Sequence, residues 1–284
     1  MSARVEPFIY KIPLLGYRPS LGVHRGLMAG SGQLFTRHDS LLARPDPRRL
    51  DLRASVLDPF RNYRVKVFQQ HTQLSVVLIA DLSASMAYQG KHYRQQALAD
   101  FVLSAAVSAT QTGDNFSFIG CGKKLEQQWL LAANRNVGCA TELAQRLTKT
   151  TFTSQAESLW QLTPVLPSKR SLLFLASDFY MPLAKVSALM AQLTQHIVVP
   201  VIFWDKSEYQ ELPDWGFVKL KELESGKTKT LFLRPHYKRR IIEAYAQRKV
   251  ELQKAFRAFA VEPLFMVGNF QAQQLTTYFH QLAG

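Results

Sequence analysis

The chain has 284 residues, 47% of them hydrophobic, enough to bury one large α/β domain or two small ones. No run approaches eighteen apolar residues, which argues against a transmembrane helix, and only Cys121 and Cys139 are present, which excludes a cysteine-rich zinc site within the chain. The formal net charge of +14 favours an acidic partner, yet Arg44, Arg48, Arg49 and Arg53 are interspersed with Asp46, Asp51 and Asp58, and no helix-turn-helix or ribonucleoprotein motif is present, so nucleic-acid binding is not the expected main function.

The amino terminus has neither the long apolar centre nor the small-residue cleavage site of a signal peptide, and the two cysteines fit a reducing compartment, so a soluble, cytoplasmic chain is expected. Residues 1–72 contain Gly16, Gly22, Gly30, Gly32, Pro45, Pro47 and Pro59, with a strand-like piece at 63–69. They are expected to form a β-rich amino-terminal module packed on a main domain at 73–284. This region carries twelve Lys/Arg against five Asp/Glu, half of the positive excess.

From residue 74 onward, short apolar runs alternate with helix-like segments. Strands are expected at 74–81, 115–121, 171–178, 197–204 and 261–267, and helices at 92–111, 140–148, 155–166, 183–195, 237–259 and 271–282. Runs such as VVLIA, LLFLA and IVVPVIFW show no polar alternation, as suits parallel strands covered on both faces. In the helix at 92–111, Leu98, Phe101, Val102 and Ala105 recur at helical spacing before Thr112-Gly113-Asp114 ends it. Residues 213–233 read as a hairpin turning near Ser225-Gly226. Trp160, Trp204 and Trp215 are expected in the core, and Lys238, Arg239 and Arg240 in solvent. The alternation predicts a doubly wound, mostly parallel α/β sheet with a hairpin insertion.

In such sheets, ligands collect beyond the carboxyl ends of the strands. Asp81 and Asp178 each end an apolar run, so two carboxylates from different strands can converge there. Asp81, Ser83 and Ser85 place one carboxylate and two hydroxyls in the loop after the first strand, an oxygen set suited to a hard divalent cation such as Mg²⁺. The plainer reading is that these residues cap the following turn. Catalytic alternatives find little support. A phosphatase with Asp81 as nucleophile would normally carry a second Asp where this chain has Ser83. Glycine-rich nucleotide loops, Gly-x-Ser-x-Gly turns and His-Glu-x-x-His pairs are absent.

With a strand before it, a helix after it and a second strand ending in Ser-Asp-Phe, the Asp-x-Ser-x-Ser motif resembles the start of the metal-ion-dependent adhesion site of von Willebrand factor type A domains. The chain is most similar to a bacterial branch of that fold, the domain of unknown function 58 family. The likeness is carried by PDPRRLDLRAS at 45–55, YRVKVFQQ at 63–70, DLSASM at 81–86, LLFLASDF at 172–179 and ELPDWGFVKLKELESGK at 211–227. Within that family it looks most like the MxaS proteins of methanol-dehydrogenase clusters.

The resemblance implies Ser83 and Ser85 as direct metal ligands, Asp81 and Asp178 acting through water, and Thr153 or Ser154 as a further hydroxyl. Relatives tend to have Gly-Gly-Thr where this chain has Thr150-Thr151-Phe152-Thr153-Ser154, and often Trp in place of Leu52. It further implies Mg²⁺, with Mn²⁺ and Ca²⁺ as alternatives, and one coordination position left for an Asp or Glu carboxylate of a client. A MoxR-type AAA+ ATPase is the implied partner of an adaptor or co-chaperone. A phosphatase-like hydrolase and a basic nucleic-acid-binding protein are the alternatives from other classes.

Overall fold

The computed structural model describes residues 5–10, 21–30, 34–43, 45–72, 74–152, 155–221 and 228–283. Strands β1 (Leu21–Gly30), β2 (Leu34–Ser40) and β3 (Arg64–Thr72) form an antiparallel sheet in the order β1-β3-β2. Between β2 and β3 the chain makes a 3-10 turn at Pro47–Arg49 and a short helix α1 (Leu52–Val56). Aspartates start both pieces: the Asp46 side chain accepts from the Arg48 N–H and Asp51 from the Ala54 N–H. Such caps satisfy amides that the first helical turn leaves without partners.

The remaining elements in chain order are β4 (Ser75–Asp81), α2 (Arg94–Gln111), β5 (Asn115–Cys121), β6 (Leu125–Asn134), α3 (Val137–Lys149), β7 (Leu172–Ser177), α4 (Leu183–Gln192), β8 (Ile197–Trp204), β9 (Gly216–Lys221), β10 (Thr228–Leu233), α5 (Pro235–Arg257), β11 (Leu264–Val267) and α6 (Ala272–Ala283). Strands β9 and β10 pair as an antiparallel hairpin from Gly216 opposite Leu233 to Lys221 opposite Thr228. The turn expected near Ser225-Gly226 falls outside the described residues. The other strands make a six-stranded sheet in the order β11-β8-β7-β4-β5-β6, parallel except for β6. This is a doubly wound α/β sheet. Connections from β4 travel toward β5 and those from β7 toward β8, so the winding reverses between β4 and β7, where open α/β sheets bind ligands.

Side chains alternate across the sheet with the two-residue strand period. Val76, Leu78 and Ala80 of β4 face a core shared with α2, α3 and α6, whereas Val77 and Ile79 face one shared with α4 and α5. Burial on both faces explains why these strands lack polar alternation. Among the described residues, no helix is long and apolar enough to cross a membrane.

Several expectations need correction. Phe8 and Tyr10, within the region read as the amino-terminal module, pack in the core of the six-stranded sheet. There Phe8 lies against Phe174 and Phe279, its amide donates to Ser108 Oγ at 2.8 Å, and the Tyr10 hydroxyl donates to Asp114 Oδ2 at 2.7 Å. Strand β6 was not expected from the sequence. It is an antiparallel edge strand, largely exposed, so its polar residues give no buried-strand signal. The helix expected at 155–166 is a single 3-10 turn, Glu157–Trp160. Pro164 disfavours helical backbone at Thr163, and Ser158 is held to the Gly122 carbonyl by both its amide and its hydroxyl. Trp204 is buried as expected, but Trp215 is 64% exposed on the hairpin beside Phe232.

Candidate functional site

Strand β4 ends in a buried aspartate whose two oxygens are both engaged. Asp81 Oδ1 accepts the Ser83 N–H at 2.8 Å, and Oδ2 accepts the Ser177 hydroxyl at 2.7 Å. The first bond tightens the loop so that Ser83 starts a 3-10 turn at Ala84–Ala87. The second joins the ends of β4 and β7 directly. In the resulting loop the hydroxyls of Ser83 and Ser85 lie 3.0 Å apart, with Ser85 partly open to solvent.

The end of β7 is fixed from several directions. Asp178 Oδ1 accepts the Tyr180 N–H at 3.2 Å, and its carbonyl accepts the Trp204 indole N–H at 2.9 Å. Phe179 sits at φ 54°, a left-handed conformation that costs a non-glycine residue about 1 kcal/mol or more. Its ring is wedged edge-on against Phe256 of α5, and Arg248 of α5 donates to the carbonyls of Phe179 and Met181. Tertiary contacts therefore hold a turn that the sequence does not favour.

Arg94, the first residue of α2, is the cation of the site. It is buried, and Nη1 donates to the Ser85 carbonyl at 2.9 Å and to Asp178 Oδ2 at 3.3 Å. Its Nη2 donates to the Tyr180 hydroxyl at 3.1 Å and pairs with Glu208, while the guanidinium lies over the rings of Tyr88 and Tyr180. Glu208 is positioned by a capping box with Asp205 after β8. Burial alone would lower the Arg94 pKa, but Asp178, Tyr180 and Glu208 raise it overall. Burial, then the negative charge of Asp178, pushes the Asp81 carboxyl up to about 6.

Asp81, Ser83, Ser85 and Asp178 thus meet at the β4/β7 switch point, whereas Thr153 and Ser154 lie outside the described residues. All four carboxylate oxygens of the two aspartates already accept a protein hydrogen bond, and the hydroxyls of Ser83 and Ser85 are hydrogen-bonded to each other. Three features fit a hard divalent cation. The donors are all oxygen, and the 3.0 Å spacing of the hydroxyls, which here is the length of the hydrogen bond between them, also matches neighbouring corners of an octahedron with bonds of about 2.1 Å. In addition, Arg94 pairs with Asp178 and Glu208, while Asp81 has no ion-pair partner among the described residues. No group of three His, Cys, Asp or Glu side chains capable of holding a metal occurs among the described residues, so a cation here relies on hydroxyls and water.

Sequence reasoning missed Arg94, Ser177, Tyr180 and Glu208. The Asp205-x-x-Glu208 pattern was a readable capping box, but nothing local to Arg94 marks it as buried. Of the histidines, His92 is tied to Asp205, its amide donating to Oδ2 at 2.9 Å and its ring lying 3.2 Å away.

No curated protein matches the chain. Solved structures that match include the conserved hypothetical protein BatB from Bacteroides thetaiotaomicron, 12% identical, covering 74% of this chain and 98% of that one with a TM-score of 0.42. An aerotolerance-related membrane protein from Bacteroides fragilis is 11% identical, covering 73% and 97% with a TM-score of 0.42. Proximal thread matrix protein 1 from the mussel byssus, in a structure with a zinc-occupied MIDAS motif, is 15% identical and has a TM-score of 0.39, covering 74% of this chain and 47% of that one. The family model described as protein of unknown function DUF58 matches residues 49–252, and the chain belongs to that family.

Proposed function

We propose that this chain is a protein-binding adaptor that recognises an Asp or Glu carboxylate of a partner through a divalent cation held at the loop of Asp81, Ser83 and Ser85 with Asp178. The observation that carries this reading is the meeting of two buried carboxylates with a close pair of serine hydroxyls at the switch point of the sheet. Ser83 and Ser85 would hold the ion directly, and Asp81 and Asp178 through water. Thr153 or Ser154 would supply a further hydroxyl. Mg²⁺ suits this oxygen set, with Mn²⁺ or Ca²⁺ as substitutes. When bound, the ion supplies an electrophilic position for an incoming carboxylate. The protein's own contribution is to hold the serine hydroxyls side by side, keep Asp81 buried and fix Asp178 with Arg94.

The family resemblance names a MoxR-type AAA+ ATPase as the partner, and the likeness to MxaS names methanol dehydrogenase maturation as the client process. Both belong to this proposal, as does a cytoplasmic location. A non-catalytic role is favoured because both oxygens of Asp81 are held by donors and its side chain is buried, which disfavours its attack on a substrate. The test is a pull-down from native lysate with wild type and Asp81→Ala as bait, each in Mg²⁺ and in EDTA. Recovery of an AAA+ ATPase only by wild type in Mg²⁺ is the expected result. Equal recovery in all four conditions, or none in any, would overturn the metal-dependent reading.

A further inference from the structure

The stretch between β2 and β3 exposes a set of large apolar side chains. Leu42, Leu52, Val56, Leu57, Phe60 and Tyr63 are all exposed, Val56 at 84% and Phe60 at 78%. Backbone hydrogen bonds gather them. The Leu41 amide donates to the Tyr63 carbonyl at 2.8 Å, placing Leu41 opposite Tyr63 with Leu42 next along the chain, and the Asp51 amide donates to the Arg64 carbonyl at 2.8 Å, placing the start of α1 on β3. Leu52 and Val56 are one helical turn apart on the same face of α1. Phe60 and Arg61 stand on a turn closed by the Arg61 amide on the Asp58 carbonyl at 3.0 Å and the Asn62 amide on Asp58 Oδ2 at 2.9 Å, with Arg61 at φ 56°.

The charges of this surface are sorted. Its acids are paired: Asp46 with Arg49, Asp51 with Lys66 and His38, and Asp58 with Arg64, the Asp51 and Asp58 carboxylates being largely covered. By contrast, Arg48, Arg53 and Arg61 are exposed and make no ion pair among the described residues. The outward face is therefore apolar with unpaired guanidinium groups and no unpaired acid.

We infer that this surface docks an acidic, amphipathic segment of a partner protein, its apolar side chains covering Leu52, Val56, Leu57 and Phe60 and its carboxylates meeting Arg48, Arg53 and Arg61. Arginine forks match carboxylates in a bidentate way, and Arg with aromatic residues is the composition of protein interface centres. A second copy of this chain does not fit, because the same face would present like charges. A membrane surface is the poorer match as well. Interfacial helices segregate cations to the face opposite the apolar one, whereas here Leu52 adjoins Arg53 and Phe60 adjoins Arg61. Single-stranded nucleic acid would call for stacking platforms, and four of the six apolar side chains are aliphatic. The contact involves no cation-binding residue, so it is independent of the metal-dependent reading and gives an adaptor its second face.

The test uses the full chain and a fluorescent model peptide, a helix with a leucine stripe flanked by glutamates. Two control peptides replace the glutamates by lysine or the leucines by serine. Binding is read by anisotropy in Mg²⁺ and in EDTA. The acidic peptide is expected to bind equally in both, with each control at least about tenfold weaker. Arg53→Glu and Val56→Ser, at exposed positions that leave the fold intact by circular dichroism, are each expected to weaken it by about tenfold. Unchanged binding by both variants, equal binding of the serine-stripe peptide, or tighter retention on phosphatidylcholine–phosphatidylglycerol vesicles or single-stranded DNA than on the peptide would overturn the assignment.

Discussion

Arg94 Nη1 lies 3.3 Å from Asp178 Oδ2, with both side chains almost fully buried, so a cation from the start of α2 answers a carboxylate from the end of β7. The same guanidinium pairs with Glu208, linking the candidate site to the turn after β8. Removing one partner of a buried ion pair leaves an uncompensated charge and costs about 3–5 kcal/mol. Arg94→Met is therefore expected to lower the unfolding free energy by about that amount in urea titrations. Arg94→Lys, which keeps the charge without the fork, should lose less.

The pH dependence follows from Asp81. A carboxyl that rises from 3.8 to about 6 on folding binds more protons in the native state than in the unfolded state between those values. Stability of the cation-free protein is therefore expected to fall as pH climbs from about 4 to about 6. A divalent cation favours the ionised form, so Mg²⁺ should raise Tm more at about pH 7.5 than at about pH 5. Differential scanning fluorimetry with and without EDTA checks this, and Asp81→Asn should remove the difference.

The amino-terminal segment is expected to be structural. Phe8 is buried among Phe101, Phe174 and Phe279. Phe8→Ala should destabilise the protein by about 3–5 kcal/mol, seen as a lower urea midpoint with an unchanged slope.

The two cysteines should differ in reactivity. Cys121 is buried beside Asp81, and burial followed by that negative charge raises its thiol well above the ordinary value, whereas Cys139 is only half-buried. A thiol reagent such as Ellman's should label Cys139 in the native protein and Cys121 only on unfolding. Mass spectrometry of the labelled peptides reads the outcome.

The doubly wound sheet was legible because β4, β5, β7 and β8 are buried apolar runs separated by helices, and Asp81, Ser83, Ser85 and Asp178 were legible because they stand where such runs stop. What escaped depends on tertiary contact. Strand β6 is an exposed edge, and Val5–Tyr10 is too short to show a period yet fills the core with Phe8 and Tyr10. Arg94 reads like any surface arginine at a helix start until Asp178 and Glu208 arrive from the turns after β7 and β8. The exposed apolar face of α1 was hidden for the opposite reason, since Leu52 and Val56 in a sequence look like core residues.

In the proposed site, the hydroxyls of Ser83 and Ser85, with Asp81 and Asp178, bind a divalent cation. Titration with Mn²⁺ followed by electron paramagnetic resonance tests it most directly, comparing wild type with Ser83→Ala/Ser85→Ala. One bound ion in the wild type, displaced by Mg²⁺ and lost in a variant that keeps its circular dichroism spectrum, is the expected result. No binding by the wild type, or the same binding by the variant, would rule out a cation site at these residues.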